Sequence, residues 1–181
     1  YGEKCILDAS MYTWNDQSVD FWREEGVLRN TVPLELNEGE LKHRDNTSSE
    51  LLLYGYIPLM LSAQCVRKNL FGCTGKCETA YLKDRYNSEF PVKCCCTPWE
   101  CSSLEKAKYC YNIIYNSIPY GLPGERERVE KLNLQSLRLA FTVEKPEEAR
   151  EIFKEFQSVY QKNGKPSGRR YTKGHFKRGA E

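Results

Sequence analysis

Cysteine is the residue type in this sequence whose number and spacing could support chemistry. The chain has 181 residues and nine cysteines, and eight of the nine lie between residues 50 and 117. Iron–sulfur clusters and structural zinc sites are both held by four thiolates, so this stretch is a candidate metal centre. The eight form an early group, a later group and one separate residue: Cys65, Cys73 and Cys77; Cys94, Cys95, Cys96 and Cys101; and Cys110.

The spacing of these thiols is looser than that of a zinc ribbon. Zinc ligands usually come in pairs with two to four residues between them. Two pairs come close to that pattern, Cys73 with Cys77 and Cys96 with Cys101, but seven residues separate Cys65 from Cys73. The spacing therefore suits a larger cluster gathered from several loops. The alternative, several free cysteines beside a core, stays open on spacing alone.

The thiols are expected to be reduced. An odd number of cysteines fits a disulfide framework poorly, and adjacent cysteines such as Cys94 and Cys95 bridge each other only with strain. The sequence shows no secretory signal and no apolar run near the roughly 20 residues that cross a bilayer. We therefore expect a cytoplasmic protein without a membrane partner, a setting in which cysteine clusters more often bind metal.

Length and charge set further limits. A chain of 181 residues is long enough for one domain with a buried core. A net charge of +2 is too small to imply a nucleic-acid partner by itself. The sequence lacks an initiator Met and opens on YGEKCILDAS, the lead-in to a strand, so we expect an excised or truncated piece.

The order of predicted elements ahead of the cysteines indicates an α/β protein. Short β-rich stretches alternate with candidate helices up to residue 62. This alternation predicts a parallel sheet with crossover helices, and it fits successive units of a barrel or of an open sheet equally well. The predicted strands are 4–12, 30–37 and 50–61, and the predicted helices begin at Asp16 and Glu38.

The elements after Cys65 follow a different order. A hairpin is predicted around the turn at Asn87, and a strand and a regular amphipathic helix follow near the C-terminus. The tail after Asn163 is rich in Gly, Lys and Arg and is expected to be poorly ordered alone. The predicted strands are 81–86, 89–93, 110–117 and 136–142, and the predicted helices are 97–108, 126–132 and 147–162. We divide the chain into 1–62 with βα units, 63–117 as the cysteine-rich excursion, and 118–181 with the final strand, helix and basic tail.

Several strings spread over the whole chain carry a resemblance to a known family. They are LDASMYTWN, PLELN, ELLLYGYIPLMLSAQC, YLKDRYNSEFPVK, CYNIIYNS, LRLAFTVE and TKGHFKRGAE. In combination they resemble the C-terminal part of the peptidase U-32 family, the collagenase-like peptidases. The resemblance implies a partial (β/α) TIM-type barrel, its C-terminal half, with a cysteine-rich excursion near the carboxyl face.

The resemblance also implies a cofactor and a function. The resemblance implies an oxygen-sensitive four-iron four-sulfur cluster, which the chemically characterised members of the family carry. Those members take part in the hydroxylation of transfer RNA, ribosomal RNA or a ubiquinone precursor. In air such a cluster can be lost or replaced by zinc. The implied ligands are Cys65, Cys73, Cys96 and Cys110, with Cys94, Cys95 and Cys101 as rivals for the third position.

Two departures from the family pattern bear on this expectation. Tyr56, Ile57 and Pro58 occupy a stretch where many members have a small residue and then a cysteine. Residues 97–109 resemble an insertion between the third and fourth thiols, which is why Cys101 is a rival ligand. Two other functions therefore stay open: a true peptidase, a hydrolase of collagen-like or other peptides, and a non-catalytic zinc or binding module.

Charged residues outside the thiol stretch supply the remaining candidates. Glu35 and Glu50 lie at or near adjacent predicted strands, as catalytic or substrate-anchoring acids of a barrel face would, although a solvated or salt-bridged carboxylate is the commoner outcome. His43 and His175 have no neighbouring Ser or Cys that predicts a nucleophilic triad. The basic, aromatic-containing tail could contact RNA. A half-barrel exposes sheet edges, so pairing with a second copy is a further expectation.

Overall fold

The computed structural model of this protein describes residues 4–72, 78–95 and 111–179. The chain is mixed α/β, as predicted, and the described strands form no closed barrel. It divides into two compact units, one of Tyr1–Gly55 with Tyr120–Glu181 and the other of Tyr56–Pro119. No helix in the described ranges is both long enough and apolar enough to span a membrane.

The helices and strands are numbered in chain order. The strands are β1 (Ile6–Leu7), β2 (Arg29–Thr31), β3 (Ser49–Gly55), β4 (Pro58–Ser62), β5 (Thr79–Lys83), β6 (Glu89–Cys95), β7 (Tyr111–Tyr115), β8 (Tyr120–Gly121) and β9 (Ser136–Ala140). The helices are α1 (Asp16–Glu24), α2 (Glu38–Lys42), α3 (Val66–Phe71), α4 (Arg126–Glu130) and α5 (Pro146–Lys162).

The first unit contains the parallel sheet that the sequence predicts. Its strands β1, β2, β3 and β9 lie in that order and are all parallel. The short strand β8 pairs antiparallel with the last two residues of β3. Strands β1 and β2 are shorter than predicted, because Asp8 caps a short 3₁₀ helix after β1 and Pro33 cannot donate to a ladder after β2.

Local sequence signals explain where the helices of this unit begin. Asn15 and Asn37 cap α1 and α2, each in a reciprocal capping box with the residue three positions later. Helix α5 begins at Pro146, which a first turn tolerates, and ends before Asn163 in the left-handed conformation. Its apolar face buries Ile152, Phe156 and Val159, as its periodicity predicts.

A buried arginine donates hydrogen bonds to four polar side chains of the first unit. Arg44 Nη1 donates to Asn46 Oδ1 at 2.7 Å and to Ser49 Oγ at 3.0 Å. Its Nη2 donates to Asn30 Oδ1 at 2.7 Å and to Thr13 Oγ1 at 3.2 Å. Burial lowers the pKa of Arg44, although nearby carboxylates favour its charge. These four bonds join two strands and two loops to one guanidinium.

The tail, expected to be poorly ordered alone, is held by the rest of its unit. Phe176 is only 2% exposed, and its carbonyl oxygen accepts a hydrogen bond from Glu38 N at 2.8 Å. Thr172 forms a bridge to Tyr120 of β8. The ring of Tyr171 lies 6.0 Å from that of the fully buried Tyr54. Aromatic packing thus fixes a segment whose composition indicates a loop.

The second unit is built on an antiparallel sheet in the order β4-β7-β6-β5. The predicted hairpin is present as β5 and β6, joined by a turn in which Asn87 has positive φ and Asp84 accepts from the backbone of Tyr86 and Ser88. The predicted strand over 110–117 is present as β7. The helix predicted over 97–108 lies outside the described residues.

One predicted strand is two strands in the structure. The apolar run over 50–61 was expected to be a single strand, but it is β3 followed by β4, and these belong to different sheets. The chain leaves the first sheet after Gly55, where an added Cβ would lie 3.1 Å from the carbonyl oxygen of Ala140. Pro58, which lacks an N–H, begins the next strand.

Candidate functional site

Described strand ends that lie next to thiols in sequence meet at one end of the antiparallel sheet. Ser62, Asn112 and Cys94 are cross-strand neighbours at the end where β4 and β6 finish and where β5 and β7 begin. Cys65 lies three residues beyond β4. In sequence, the neighbours of the described ends are cysteines as well: Cys73 follows Gly72, Cys96 follows Cys95, and Cys110 precedes Tyr111.

Cys65 is the one implied ligand that lies within the described residues. Cys73, Cys96 and Cys110 lie outside them, as does the rival Cys101, whereas Cys94 and Cys95 are described. Within the described ranges, no group of three or more His, Cys, Asp or Glu side chains is placed to hold a metal ion. The geometry around Cys65 is therefore the part of the implied site that the structure gives directly.

Cys65 lies at the start of α3 in a buried position. Its exposed fraction is 9%, and its carbonyl oxygen accepts from Asn69 N at 3.1 Å, which begins the helix. The carbonyl oxygen of the preceding residue, Gln64, accepts from Asn112 Nδ2 at 2.5 Å. This bond joins the peptide in front of Cys65 to the start of β7, so the backbone at Cys65 is held against the sheet.

Asn112 combines full burial with an unsatisfied acceptor. Its side chain is 0% exposed, and its Oδ1 has no hydrogen-bond partner within the described part of the chain. Leaving a buried amide oxygen without a donor costs about 1–3 kcal/mol.

The two described cysteines of the later group face opposite sides of the sheet. Cys94 pairs with Asn112 and is buried, so its side chain shares the face of the asparagine. Cys95 pairs with Tyr111 on the other face. The charge of the Cys95 thiolate and its hydrogen bond with the phenol raise the pKa of Tyr111. Of these two thiols, Cys94 is on the face that leads to Gln64 and Cys65.

An ion pair joins two residues that lie on either side of Cys73 and Cys77 in sequence. Arg67, on α3, contacts the carboxylate of Glu78, the residue in front of β5. Residues 73–77 lie between these two anchors in sequence and outside the described residues. A partly exposed pair of this kind adds little stability. Its effect here is to hold the start of α3 close to the residue in front of β5.

A second polar group lies on one face of the parallel sheet in the first unit. Thr31 Oγ1 donates to Glu50 Oε1 at 2.8 Å, and Arg138 Nη1 donates to the same oxygen at 3.2 Å. The side chain of Glu50 is 13% exposed, and Asp8 Oδ2 lies 3.9 Å from Arg138 Nη1. Three neighbouring strands and the residue after β1 therefore contribute to one polar cluster around Glu50.

The other acids and bases singled out in the sequence lie apart from this cluster. Glu35 lies in the turn after β2 and makes no hydrogen bond or ion pair with any described residue. His43 is exposed at the end of α2, and His175 Nδ1 lies 2.8 Å from the carbonyl oxygen of Gly179. Within the described ranges neither histidine contacts a Ser or Cys side chain, so these residues offer no protease triad.

Half of the basic side chains in the tail bind carboxylates of their own unit. Glu125 is buried and accepts from Lys173 Nζ at 2.5 Å, while Lys177 Nζ lies 3.2 Å away. Arg169 contacts the carboxylates of Glu151 and Glu155. Burial works against the charge of Glu125, but the two lysines outweigh it and keep its pKa below the usual value.

Sequence reasoning missed Asn112, Arg138 and Glu125. The first had a usable signal, because a polar residue at a buried position of the apolar strand CYNIIYNS breaks its pattern. Arg138 and Glu125 gave none, since their partners are 88 and 48 residues away in sequence. No family model matches this chain, and no curated protein or solved structure matches it either.

Proposed function

We propose that this chain is the C-terminal part of a peptidase U-32 family protein, and that the intact protein is a cytoplasmic, iron–sulfur-dependent enzyme that hydroxylates RNA or a related substrate. The observation that carries the proposal is the common origin of the thiol-bearing segments. Cys65 and the residues next in sequence to Cys96 and Cys110 border one end of the antiparallel sheet, and Cys73 comes shortly after α3, which begins next to Cys65. A cluster that needs four thiolates is supported best by such an arrangement.

The proposed cluster ligands are Cys65, Cys73, Cys96 and Cys110. The donor set fits a four-iron four-sulfur cluster, and the hydrogen bond from Asn112 Nδ2 to the carbonyl oxygen of Gln64 holds the peptide in front of Cys65. Cys95 is the weakest of the rivals for the third position, because it faces away from Asn112 and pairs with Tyr111. When bound, such a cluster supplies one-electron transfer chemistry.

The proposed fold of the intact protein is a TIM-type barrel whose C-terminal half is the first unit. In its parallel sheet every strand lies next to its predecessor, from β1 through β2 and β3 to β9. A doubly wound sheet instead reverses its order at a switch point, so the observed order favours successive units of a barrel. The free edges of β1 and β9 would then pair with further strands, from the same chain or from a second copy.

The proposed role of the Glu50 cluster is to orient a substrate on the barrel face. Thr31 and Arg138 both donate to one carboxylate oxygen, which holds Glu50 in a single orientation. Arg138 remains partly exposed and can contact a substrate as well. Glu35 would add a carboxylate beyond the end of β2.

Anaerobic purification and reconstitution with iron and sulfide test the proposal. We expect about four irons and four sulfides per chain, with the broad visible absorbance of thiolate-to-iron charge transfer. If the protein bound zinc as its sole metal and took up no iron, the proposal would be wrong and a zinc module would be the better interpretation. Gelatin hydrolysis by iron-free protein that a point substitution abolishes would replace it with a peptidase.

A further inference from the structure

Helix α5 ends at the one asparagine–glycine pair in the sequence, Asn163–Gly164. Asparagine is a thermolabile residue, and it is most labile before glycine, because no side chain shields the backbone nitrogen that follows. That nitrogen can attack the side-chain amide carbon of the asparagine. Asn163 is exposed, so water can reach the product of such an attack. The pair is therefore a candidate site of spontaneous covalent modification in the first unit.

The end of the helix accounts for both residues of this pair. Asn163 has φ 58° and ψ 26°, the left-handed conformation that asparagine adopts more readily than most residues. A Cβ added at Gly164 would clash with Ser158 Oγ and would lie 3.1 Å from the carbonyl oxygen of Ser158. Rotation of the serine side chain relieves only the first of these contacts. The close approach of the chain to α5 thus explains why a labile pair is found here.

The same geometry opposes the reaction. Gly164 N donates to Ser158 O at 2.9 Å, a bond that runs back along the chain as in a Schellman motif. The attacking nitrogen is therefore hydrogen-bonded. Ring closure also requires the backbone of Asn163 to rotate about ψ, away from the left-handed conformation. The bond from Gly164 must break before its nitrogen can reach the side chain of Asn163.

Contacts between the tail and α5 hold this helix end in place. Glu155 is only 9% exposed, and its Oε1 accepts from Ser167 N at 2.9 Å. Its Oε2 accepts from the hydroxyl of Tyr171 at 2.8 Å. Ser167 comes shortly after Gly164, and Pro166 restricts the chain between them. Opening of the helix end should therefore be coupled to undocking of the tail.

We propose that Asn163 is a deamidation site that the end of α5 protects while the tail is docked. In the reaction Gly164 N attacks Asn163 Cγ, a C–N bond forms, and the side-chain nitrogen leaves as ammonia with the proton that Gly164 N loses. The resulting succinimide adds one water at either carbonyl, which gives aspartate or isoaspartate. Water is the co-reactant, and no oxidant or reductant is needed. The inference does not depend on the proposed iron–sulfur function.

Isoaspartate at position 163 would release the tail. It adds one backbone carbon atom between α5 and the tail, which displaces the hydrogen bond to Ser158 O and the contacts of Glu155. It also places a negative charge at the C-terminal end of α5, where the helix dipole disfavours it. The modified protein should therefore be cleaved faster by trypsin after Arg169 and Arg170. Asn163→Asp adds the charge without the extra atom, so this variant should keep its tail docked.

Mass spectrometry of the tryptic peptide 163–169 measures the reaction during incubation in mildly alkaline buffer. We expect deamidation of the folded 181-residue chain to be at least about ten-fold slower than that of the same chain unfolded in urea. Asn133 is an internal control, because it also has positive φ but precedes Leu134, whose side chain hinders the attack. Its amide should stay intact in both states over the same period.

Matched substitutions on α5 test the role of the tail. Glu155→Ala removes the acceptor for Ser167 N and for the Tyr171 hydroxyl, so the folded protein should deamidate about five-fold faster or more. Glu151→Ala removes an exposed carboxylate that contacts Arg169 and should leave the rate unchanged. Tyr171→Phe removes one of the two hydrogen bonds to Glu155 and should raise the rate about three-fold. Circular dichroism shows that each variant is folded, and Tyr171→Phe decides the test if Glu155→Ala is not.

Four outcomes would overturn the inference. The first two are equal rates in the folded and the unfolded chain, and no deamidation of the unfolded chain. The third is a rate in the folded Glu155 and Tyr171 variants that equals the rate in Glu151→Ala. The fourth is tryptic cleavage of the tail that isoaspartate at position 163 leaves unchanged.

Discussion

The two units of this chain differ in how many polar side chains they bury and in how those side chains are hydrogen-bonded. In the first unit, buried charged groups have partners within the unit: Arg44 donates four hydrogen bonds, Glu125 binds two lysines, and Glu50 accepts from Thr31 and Arg138. In the second unit, Asn112 is the one buried polar residue within the described ranges, and its amide oxygen has no partner there, as is also true of Arg44 Nε in the first unit. The first unit is therefore held together by polar contacts across its sheet, whereas the described part of the second unit has few such contacts.

Removing the buried guanidinium should cause the largest loss of stability. Arg44→Met keeps most of the volume but leaves Asn46 Oδ1 and Ser49 Oγ without their donor and removes one of the three donors to Asn30 Oδ1, so we expect the free energy of unfolding to fall by about 3 kcal/mol or more. Urea denaturation measures this change. The control, Arg170→Met, removes an exposed arginine and should change it by less than about 0.5 kcal/mol. A loss below about 1 kcal/mol for Arg44→Met would show that the scaffold does not depend on this network.

The tail should contribute nearly as much to the first unit. Phe176→Ala creates a cavity where an aromatic ring is buried, and we expect a loss of about 3 kcal/mol together with faster tryptic cleavage after Lys173 and Arg178. Phe153→Ala, at a half-exposed position of α5, is the control and should leave the cleavage rate unchanged. Equal cleavage rates in the two variants would mean that the tail is not docked.

The asparagine of the second unit should affect metal content more than stability. Asn112→Leu removes the donor to Gln64 O and the unsatisfied Oδ1 together, so the free energy of unfolding should change by only about 1 kcal/mol. Because the peptide before Cys65 loses its anchor, iron per chain after anaerobic reconstitution should fall by half or more. Asn69→Leu, on the exposed side of α3, should keep full iron content. If Asn112→Leu kept full iron content, the asparagine would have no role in metal binding.

The smallest expected effect is a pH dependence in the first unit. Lys173 and Lys177 hold the pKa of Glu125 below its value of about 4.3 in an unfolded chain. A depressed carboxyl pKa stabilises the fold above that pH, and the contribution is lost as the pH falls through the folded value. Glu125→Gln should therefore cost about 1 kcal/mol at pH 7 and much less at pH 3, as the urea midpoints would show. An equal cost at both pH values would exclude this ion cluster as the cause.

The sequence predicted the elements whose signals are local. The amphipathic pattern of 147–162 predicted α5, the alternation in SLRLAFT predicted β9, and the turn at Asn87 predicted the hairpin of β5 and β6. Where one strand ends and another begins was harder to predict. The run over 50–61 is apolar throughout, so its composition does not show that Gly55 packs against Ala140 while the following residues join another sheet.

The candidate site could be predicted only in part. The thiols are visible as residues, and the chain order of Cys65 and β4 follows from the sequence. The face on which each thiol lies depends on strand register, which pairs Cys94 with Asn112 and Cys95 with Tyr111. Register is set by long-range packing, and one residue of slip would exchange the two cysteines. The contact between Glu50 and Arg138 has the same origin.

The proposed function requires that Cys65 and three further thiols of the cysteine-rich stretch hold an iron–sulfur cluster. The most direct test compares iron per chain in two single-thiol variants after identical anaerobic reconstitution. Cys65 borders that end of the sheet, whereas Cys5 lies in the first unit outside the group. We expect about four irons in Cys5→Ser, as in the parent, and less than half of that in Cys65→Ser. Equal iron content in the two variants would contradict it.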